Sequence, residues 1–328
     1  MAENQKKFSE EISTVKAPAG GSSTVFMTTF RKLARSKLAL FGFVVVIMFI
    51  LIAAIAPLIA PHDMAMIYRS AVKVPPMTRI PWSEIEDEFE GIPKGQFQPA
   101  KSNLFVLGTD KLGRDILSRI LYGAQISLVV GVVAEIIALL IGVLIGALAG
   151  YFGGYLDALL MRFTDTFFAF PALLLAIGIL AVFERPGLLT IFVALGIVGW
   201  TIVARVVRGQ VLRVKEEDFV EAARAMGASD FRIITRHILP NSLAPIIVVG
   251  TLGIAGNILS EAGLSFLGLG IQPPMPSWGI MLAEGRNLIE SAPWVCIFPG
   301  LAIFLTVLGF NLLGDGLRDA LDPRLRIQ

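Results

Sequence analysis

Residues 38–60 read LALFGFVVVIMFILIAAIAPLIA, a run that contains no charged side chain. A bilayer hydrocarbon core about 30 Å thick is crossed by roughly 20 apolar helical residues, so Leu38–Ala60 is read as a membrane span. Five more runs follow. Ile126–Tyr151 is interrupted only by Glu135. Thr166–Phe183 and Gly187–Ala204 are parted by Glu184, Arg185 and Pro186, which together with Gly187 read as the tight turn of a hairpin. Asn241–Ser260 and Ala292–Leu313 complete six spans. Apolar residues make up 55% of the chain and charged residues 16%, with a mean hydropathy of +0.73. Soluble domains carry about 25% charged residues, so this chain cannot coat a globule with polar surface. A net charge of +2 gives no footprint for nucleic acid. The lone Cys296 can form no internal disulfide and reads as a small buried hydrophobe. The first span is too long for the apolar core of a cleaved signal peptide, and the segment before it is too long as well. Residues 1–24, with Gly20, Gly21, Ser22 and Ser23, read as a disordered tail.

Orientation follows from the basic residues, which concentrate in cytoplasmic loops. With the N-terminus inside, the inner segments hold Arg31, Lys32, Arg35, Lys37, Arg162, the basic stretch from Arg205 to Arg236, and Arg318, Arg324 and Arg326. The short outer loops hold only Arg185 and Arg286. Both termini and the loop between spans four and five are therefore expected in the cytoplasm.

That loop has its own local structure. Asp218–Met226 suits a short helix with acids in the first turn, where the helix dipole favours them. Phe219, Ala222, Ala223 and Met226 fall on one face by the three/four spacing. Gly227 can end the helix at positive φ, and Ser229 or Asp230 can cap a second helix with Phe231, Ile234 and Ile238 on one side. The prediction is a helix–glycine–helix unit that presents small and apolar residues outward. Its natural counterpart is a groove on another protein.

Glu221-Ala222-Ala223, then three residues, Gly227, and Leu239-Pro240 further on resemble the signature loop of binding-protein-dependent ABC importer permeases. His237 stands where the general pattern prefers Ile, and Arg236 to Asn241 is similar to the peptide and nickel branch. Other stretches agree: Leu107 to Asp110 with Gly113, Arg114, Asp115, Ser118 and Arg119; Leu264 to Gly270; Pro276 to Gly279; and Asn311 to Asp319. From about Thr29 onward the chain resembles the C-type permease of dipeptide and oligopeptide importers, Met64–Lys101 being the least familiar part. The resemblance implies an all-α, six-span type I importer permease in the bacterial cell membrane. It implies residues 1–37 as a cytoplasmic tail, 38–60 as the first span, 61–125 as an extracytoplasmic segment with an interfacial helix, 126–315 as a five-helix core with its coupling loop at 205–240, and 316–328 as a cytoplasmic tail. It further implies a second permease, with a heterodimer favoured, two ATP-binding subunits, and an extracytoplasmic solute-binding protein. The coupling residues would be Phe219, Glu221, Ala222, Ala223, Met226, Gly227, Leu239 and Pro240. Nickel chelates or oligosaccharides are alternative cargoes, and an ion-driven carrier is the alternative mechanism.

No Gly-Lys pair occurs in the chain, so it has no P-loop of the usual type. ATP and its Mg are expected on partner subunits, with no cofactor and no catalysis in this chain. Glu135 lies inside span two, where an ionised group costs about 2.5–3.5 kcal/mol. It is a candidate pathway residue, or else a structurally satisfied carboxyl. Gly142, Gly146 and Gly150 recur every four residues, a spacing that lets helices approach closely. Asp110–Ser127 is expected to form an amphipathic interfacial helix, with Arg114, Asp115, Ser118 and Arg119 on its polar side. Trp278 and Trp294 are expected at the membrane interface. His62 is read as solvated just outside span one, and His237 as packing or capping the second loop helix.

Overall fold

The computed structural model describes residues 33, 36–87, 101–183, 187–272 and 274–321. The turn expected at Glu184, Arg185 and Pro186, and the tail 1–24, lie outside the described residues. Among the described residues, five helices are long and apolar enough to cross a membrane: α1 (Lys37–Ile59), α3 (Ile116–Phe152), α6 (Leu188–Val214), α10 (Leu243–Phe266) and α12 (Trp294–Leu321). A sixth crossing is made if α4 (Gly154–Phe168) and α5 (Ala172–Leu180) act as one span, bent by 85° between them. The single span expected at Thr166–Phe183 is thus corrected. Its first residues belong to α4, which starts twelve residues earlier, and the chain bends before Pro171. The residue ahead of a proline is biased away from helical dihedrals, which is why the bend falls there.

Helix α3 carries the packing of the bundle. A Cβ on Gly142 would come 2.5 Å from the Val203 Cβ, one on Gly150 would come 2.8 Å from the Val211 Cβ, and one on Gly146 would collide with the Ala204 carbonyl. The three glycines thus let α3 and α6 lie nearly backbone to backbone. The first and last spans meet in the same manner. A Cβ on Gly42 of α1 would sit 2.7 Å from the Gly309 carbonyl oxygen of α12.

The described residues between α1 and α3 form a small layer of their own. It contains β1 (Thr78–Arg79) paired antiparallel to β2 (Leu104–Phe105) and the short α2 (Trp82–Asp87). His62 is buried here, contrary to its expected solvation. Its ring stacks on Phe105 at 4.6 Å, its Nε2 lies 2.8 Å from the Ser102 carbonyl, and its Nδ1 lies 3.4 Å from Asp115.

The expected interfacial helix over Asp110–Ser127 is also corrected. Asp110 to Asp115 forms a tight loop, Asp115 caps α3 by accepting from the Ser118 N–H at 2.8 Å, and the helix then runs unbroken into the span. Its polar side is buried. The Arg114 Nε donates to Asp110 at 2.6 Å, and Arg114 and Arg119 both donate to Glu284 of α11 (Trp278–Gly285), at 2.7 and 2.8 Å. Trp278 is fully buried, with its indole N–H on the Ile120 carbonyl, and the Trp294 indole donates to the Thr109 carbonyl. Both tryptophans tie protein to protein. The divisions expected at 125/126 and 315/316 fall inside α3 and α12.

Candidate functional site

The loop between α6 and α10 is built as two short helices hinged at a glycine. Helix α7 (Asp218–Ala225) carries Asp218 and Glu221 in its first turn. It ends in a left-handed residue, Gly227, at φ 77°. The Gly227 N–H donates to the Arg224 carbonyl at 3.0 Å, and the Ala228 N–H donates to the Ala223 carbonyl at 3.1 Å. This is the paired closure that satisfies carbonyls left open at a helix end. Helix α8 (Asp230–Ile233) starts at Ser229, whose hydroxyl accepts from the Arg232 N–H. One wide turn, Ile234–Ile238, and the short α9 (Leu239–Asn241) lead into α10.

The unit is anchored from beneath. Val220, Ala223, Ile233 and Ile238 are buried in one cluster with Ala147 and Tyr151 of α3 and Val207, Val211 and Val214 of α6. The Tyr151 hydroxyl donates to Asp230 at 2.6 Å, and the Arg224 guanidinium lies 6.0 Å from the Tyr151 ring centre. The outer side of α7 is open. Phe219, Glu221 and Ala222 are exposed, as is Met226 at 82%. Phe231 is 78% exposed.

Of the expected coupling residues, Phe219, Ala222 and Met226 therefore share one open face, and Glu221 is exposed as well. Gly227 forms the joint, Pro240 is exposed and Leu239 is half-buried. Ala223 departs from the expectation, because it faces inward with Val220. Two adjacent alanines lie 100° apart on a helix, and the packing against α6 takes the second. The second helix departs too. Phe231 points out while Ile238 is fully buried, since the wide turn at Ile234–Ile238 rotates the residues after it. His237 is half-buried, and its carbonyl accepts from the Asn241 side chain at 2.6 Å.

Glu135 belongs elsewhere, sixteen residues or about 24 Å along α3 from Tyr151. It is buried against α10, where Asn257 donates to it at 2.9 Å. A Cβ on Gly253 would strike its carboxyl group. In the described chain it is a helix-contact residue. Glu261 is also buried, accepting from Ser265 at 2.6 Å.

The anchors Val220 and Ile233, the Tyr151–Asp230 bond and the Asn257 partner of Glu135 were not singled out from the sequence. The signal for Tyr151 was its place in the last turn of α3, at the end of the bundle where the loop lies.

Comparison with known families settles what kind of chain carries this loop. The family model for the binding-protein-dependent transport system inner membrane component matches residues 142–327, spanning α10, α12 and the whole loop. The chain belongs to that family. A second model, the N-terminal TM domain of oligopeptide transport permease C, matches residues 24–76 of the permease. The permease is 46% identical over 298 residues to the dipeptide transport system permease protein DppC of Alkalihalophilus pseudofirmus, covering 90% of this chain and 89% of that one. It is 46% identical over 297 residues to the glutathione transport system permease protein GsiD of Shigella flexneri serotype 5b, covering 90% of each. A structure of the MetNI methionine ABC transporter in an inward-facing conformation shares the fold, with 19% identity and a TM-score of 0.54, over 63% of the permease and 98% of that chain. The permease is thus a multi-pass inner-membrane transport component.

Proposed function

We propose that this permease carries small peptides, of dipeptide to glutathione size, across the inner membrane, and that its loop faces the cytoplasm and takes up the motion of an ATP-binding subunit. Relatives named for dipeptide and glutathione transport support the cargo. The observation that carries the coupling role is the two-sided build of α7. Val220 and Ala223 fix it to α3 and α6, while Phe219, Ala222 and Met226 form an apolar face that none of the described residues covers. Such a face suits a groove in a partner. Two ATP-binding subunits hold the nucleotide and its Mg, a second permease completes the pathway as a heterodimer, and an extracytoplasmic binding protein delivers the peptide. This chain performs no hydrolysis. ATP shifts the transporter only if it binds one conformation better than the other, and the loop converts that preference into movement of α3 and α6.

The test is peptide uptake and ATPase activity in vesicles holding the full set of subunits, with Met226→Asp compared to wild type. The side chain is exposed, so the fold is retained while a charge is placed on the docking face. Uptake should fall at least tenfold, with hydrolysis either lost or no longer stimulated by peptide. Unchanged uptake would overturn the coupling role. Uptake without any ATP-binding subunit would overturn the importer reading altogether.

A further inference from the structure

A groove runs along the half of α3 nearest the loop. Ile136, Leu140 and Leu144 recur there every four residues, all of them exposed. With Val143, and with Phe231 and Leu239 from the loop, they line a space of about 520 Å³ whose walls are apolar apart from Thr235. The α3 wall extends from Ile136 to Leu148, about 18 Å of helix, which is close to one leaflet's share of a hydrocarbon core about 30 Å thick. Two cations adjoin its loop-end lining residues in the sequence. Arg232 and Arg236 follow Phe231 and Thr235 by one residue each, both are exposed, and neither guanidinium has an acidic partner among the described residues.

We propose that this groove binds an anionic phospholipid, with one acyl chain along α3 and the phosphate held by Arg232 and Arg236. An apolar trough of leaflet length offers a hydrocarbon chain its full contact and offers a polar solute little beyond the Thr235 hydroxyl. Arg232 and Arg236 stand about one turn apart along the chain, and guanidinium groups bind phosphate oxygens in a geometry that matches both. A protein helix could fill the same trough, but it would leave both arginines unpaired unless it also carried acids at their depth. The bound lipid would touch α3 and the second half of the loop together, so it would stiffen the loop against the bundle. The proposed orientation enters only in naming the leaflet, which is then the cytoplasmic one. The site itself stands apart from the coupling role.

The full-length permease, extracted with the subunits that accompany it and stripped of lipid in detergent, is titrated with phosphatidylglycerol and with phosphatidylcholine of matched chains. Bound lipid is read by native mass spectrometry. Wild type should hold one phosphatidylglycerol in preference to phosphatidylcholine. Arg232→Gln combined with Arg236→Gln should weaken phosphatidylglycerol by roughly 30-fold, from the attraction that each basic residue adds at an anionic surface, and leave phosphatidylcholine unchanged. Leu140→Trp, which fills the trough, should weaken both lipids. Arg286→Gln, outside the groove, should weaken neither. Equal phosphatidylglycerol binding by wild type and the double variant would overturn the proposal. So would complete cross-linking of Leu140→Cys to a second permease in native membranes, which would make the groove a protein interface. Neither result bears on the Met226→Asp test.

Discussion

Replacing Gly227 separates backbone geometry from side-chain packing, because its φ is 77° while a Cβ added there would meet nothing within 4 Å. The cost of a substitution should therefore come from the dihedral angles alone. For an L-residue the left-handed region costs about 1–2 kcal/mol, less for Asn, and most for a β-branched side chain, which is an outlier there. We expect about 0.5 kcal/mol for Gly227→Asn, about 1 for Gly227→Ala and about 2 for Gly227→Val. If the joint must be formed before an ATP-binding subunit docks, these become losses of up to about twofold, fivefold and 30-fold in its affinity, at 1.4 kcal/mol for each factor of ten. The assay is titration of the ATP-binding subunit onto the permease in nanodiscs. Hydrogen exchange at the Gly227 and Ala228 amides, whose bonds to Arg224 and Ala223 close the helix, serves as an independent readout. The order Asn, Ala, Val should appear in both. Gly227→Asn as damaging as Gly227→Val would refute the reasoning, because a partner would then have to occupy the space beside the Cβ.

Two further outcomes follow from the packing. Glu284→Ala leaves Arg114 and Arg119 sharing Asp110 as their one remaining acid in the buried group of four, so it should cost about 3–5 kcal/mol, read as a lowered melting temperature in detergent, whereas Glu284→Asp should recover part of the loss. Gly146→Leu forces a side chain into the Ala204 carbonyl and should cost about 1–3 kcal/mol, while Gly209→Ala, with open space around it, should be neutral or slightly stabilising in the same melt.

The sequence was most legible where one signal sufficed. An apolar run of bilayer length marks a span whatever it packs against, and five of the six runs became single helices. The joint at Gly227 was legible because only glycine takes that dihedral without cost. What escaped depended on partners far along the chain. Arg114 and Arg119 looked like the wet side of an interfacial helix because Glu284 stands 170 and 165 residues away. His62 looked solvated because Ser102, Phe105 and Asp115 arrive only later in the chain. The bend between α4 and α5 was hidden because an apolar run says nothing about direction, although Pro171, with the polar Arg162 and Asp165 before it, marked where the helix would stop. Ala222 and Ala223 are too alike for composition to say which one faces the bundle.

The glycine seam between α3 and α6 has a mechanical consequence. Two helices in contact from Gly142 to Gly150 on one side, and from Trp200 to Val211 on the other, have no room to slide or roll independently. They form a single stiff beam, and the loop is bolted to its end through Val220, Ala223, Ile233 and Ile238. Helix α6, at 27 residues, is about 40 Å long. A tilt of about five degrees imposed at the loop would therefore carry the far end of the beam through roughly 3.5 Å, about the width of a closed gap between side chains. If the loop takes up a partner's motion as proposed, a push of a few ångströms on its short helix would be felt at the far end of the beam.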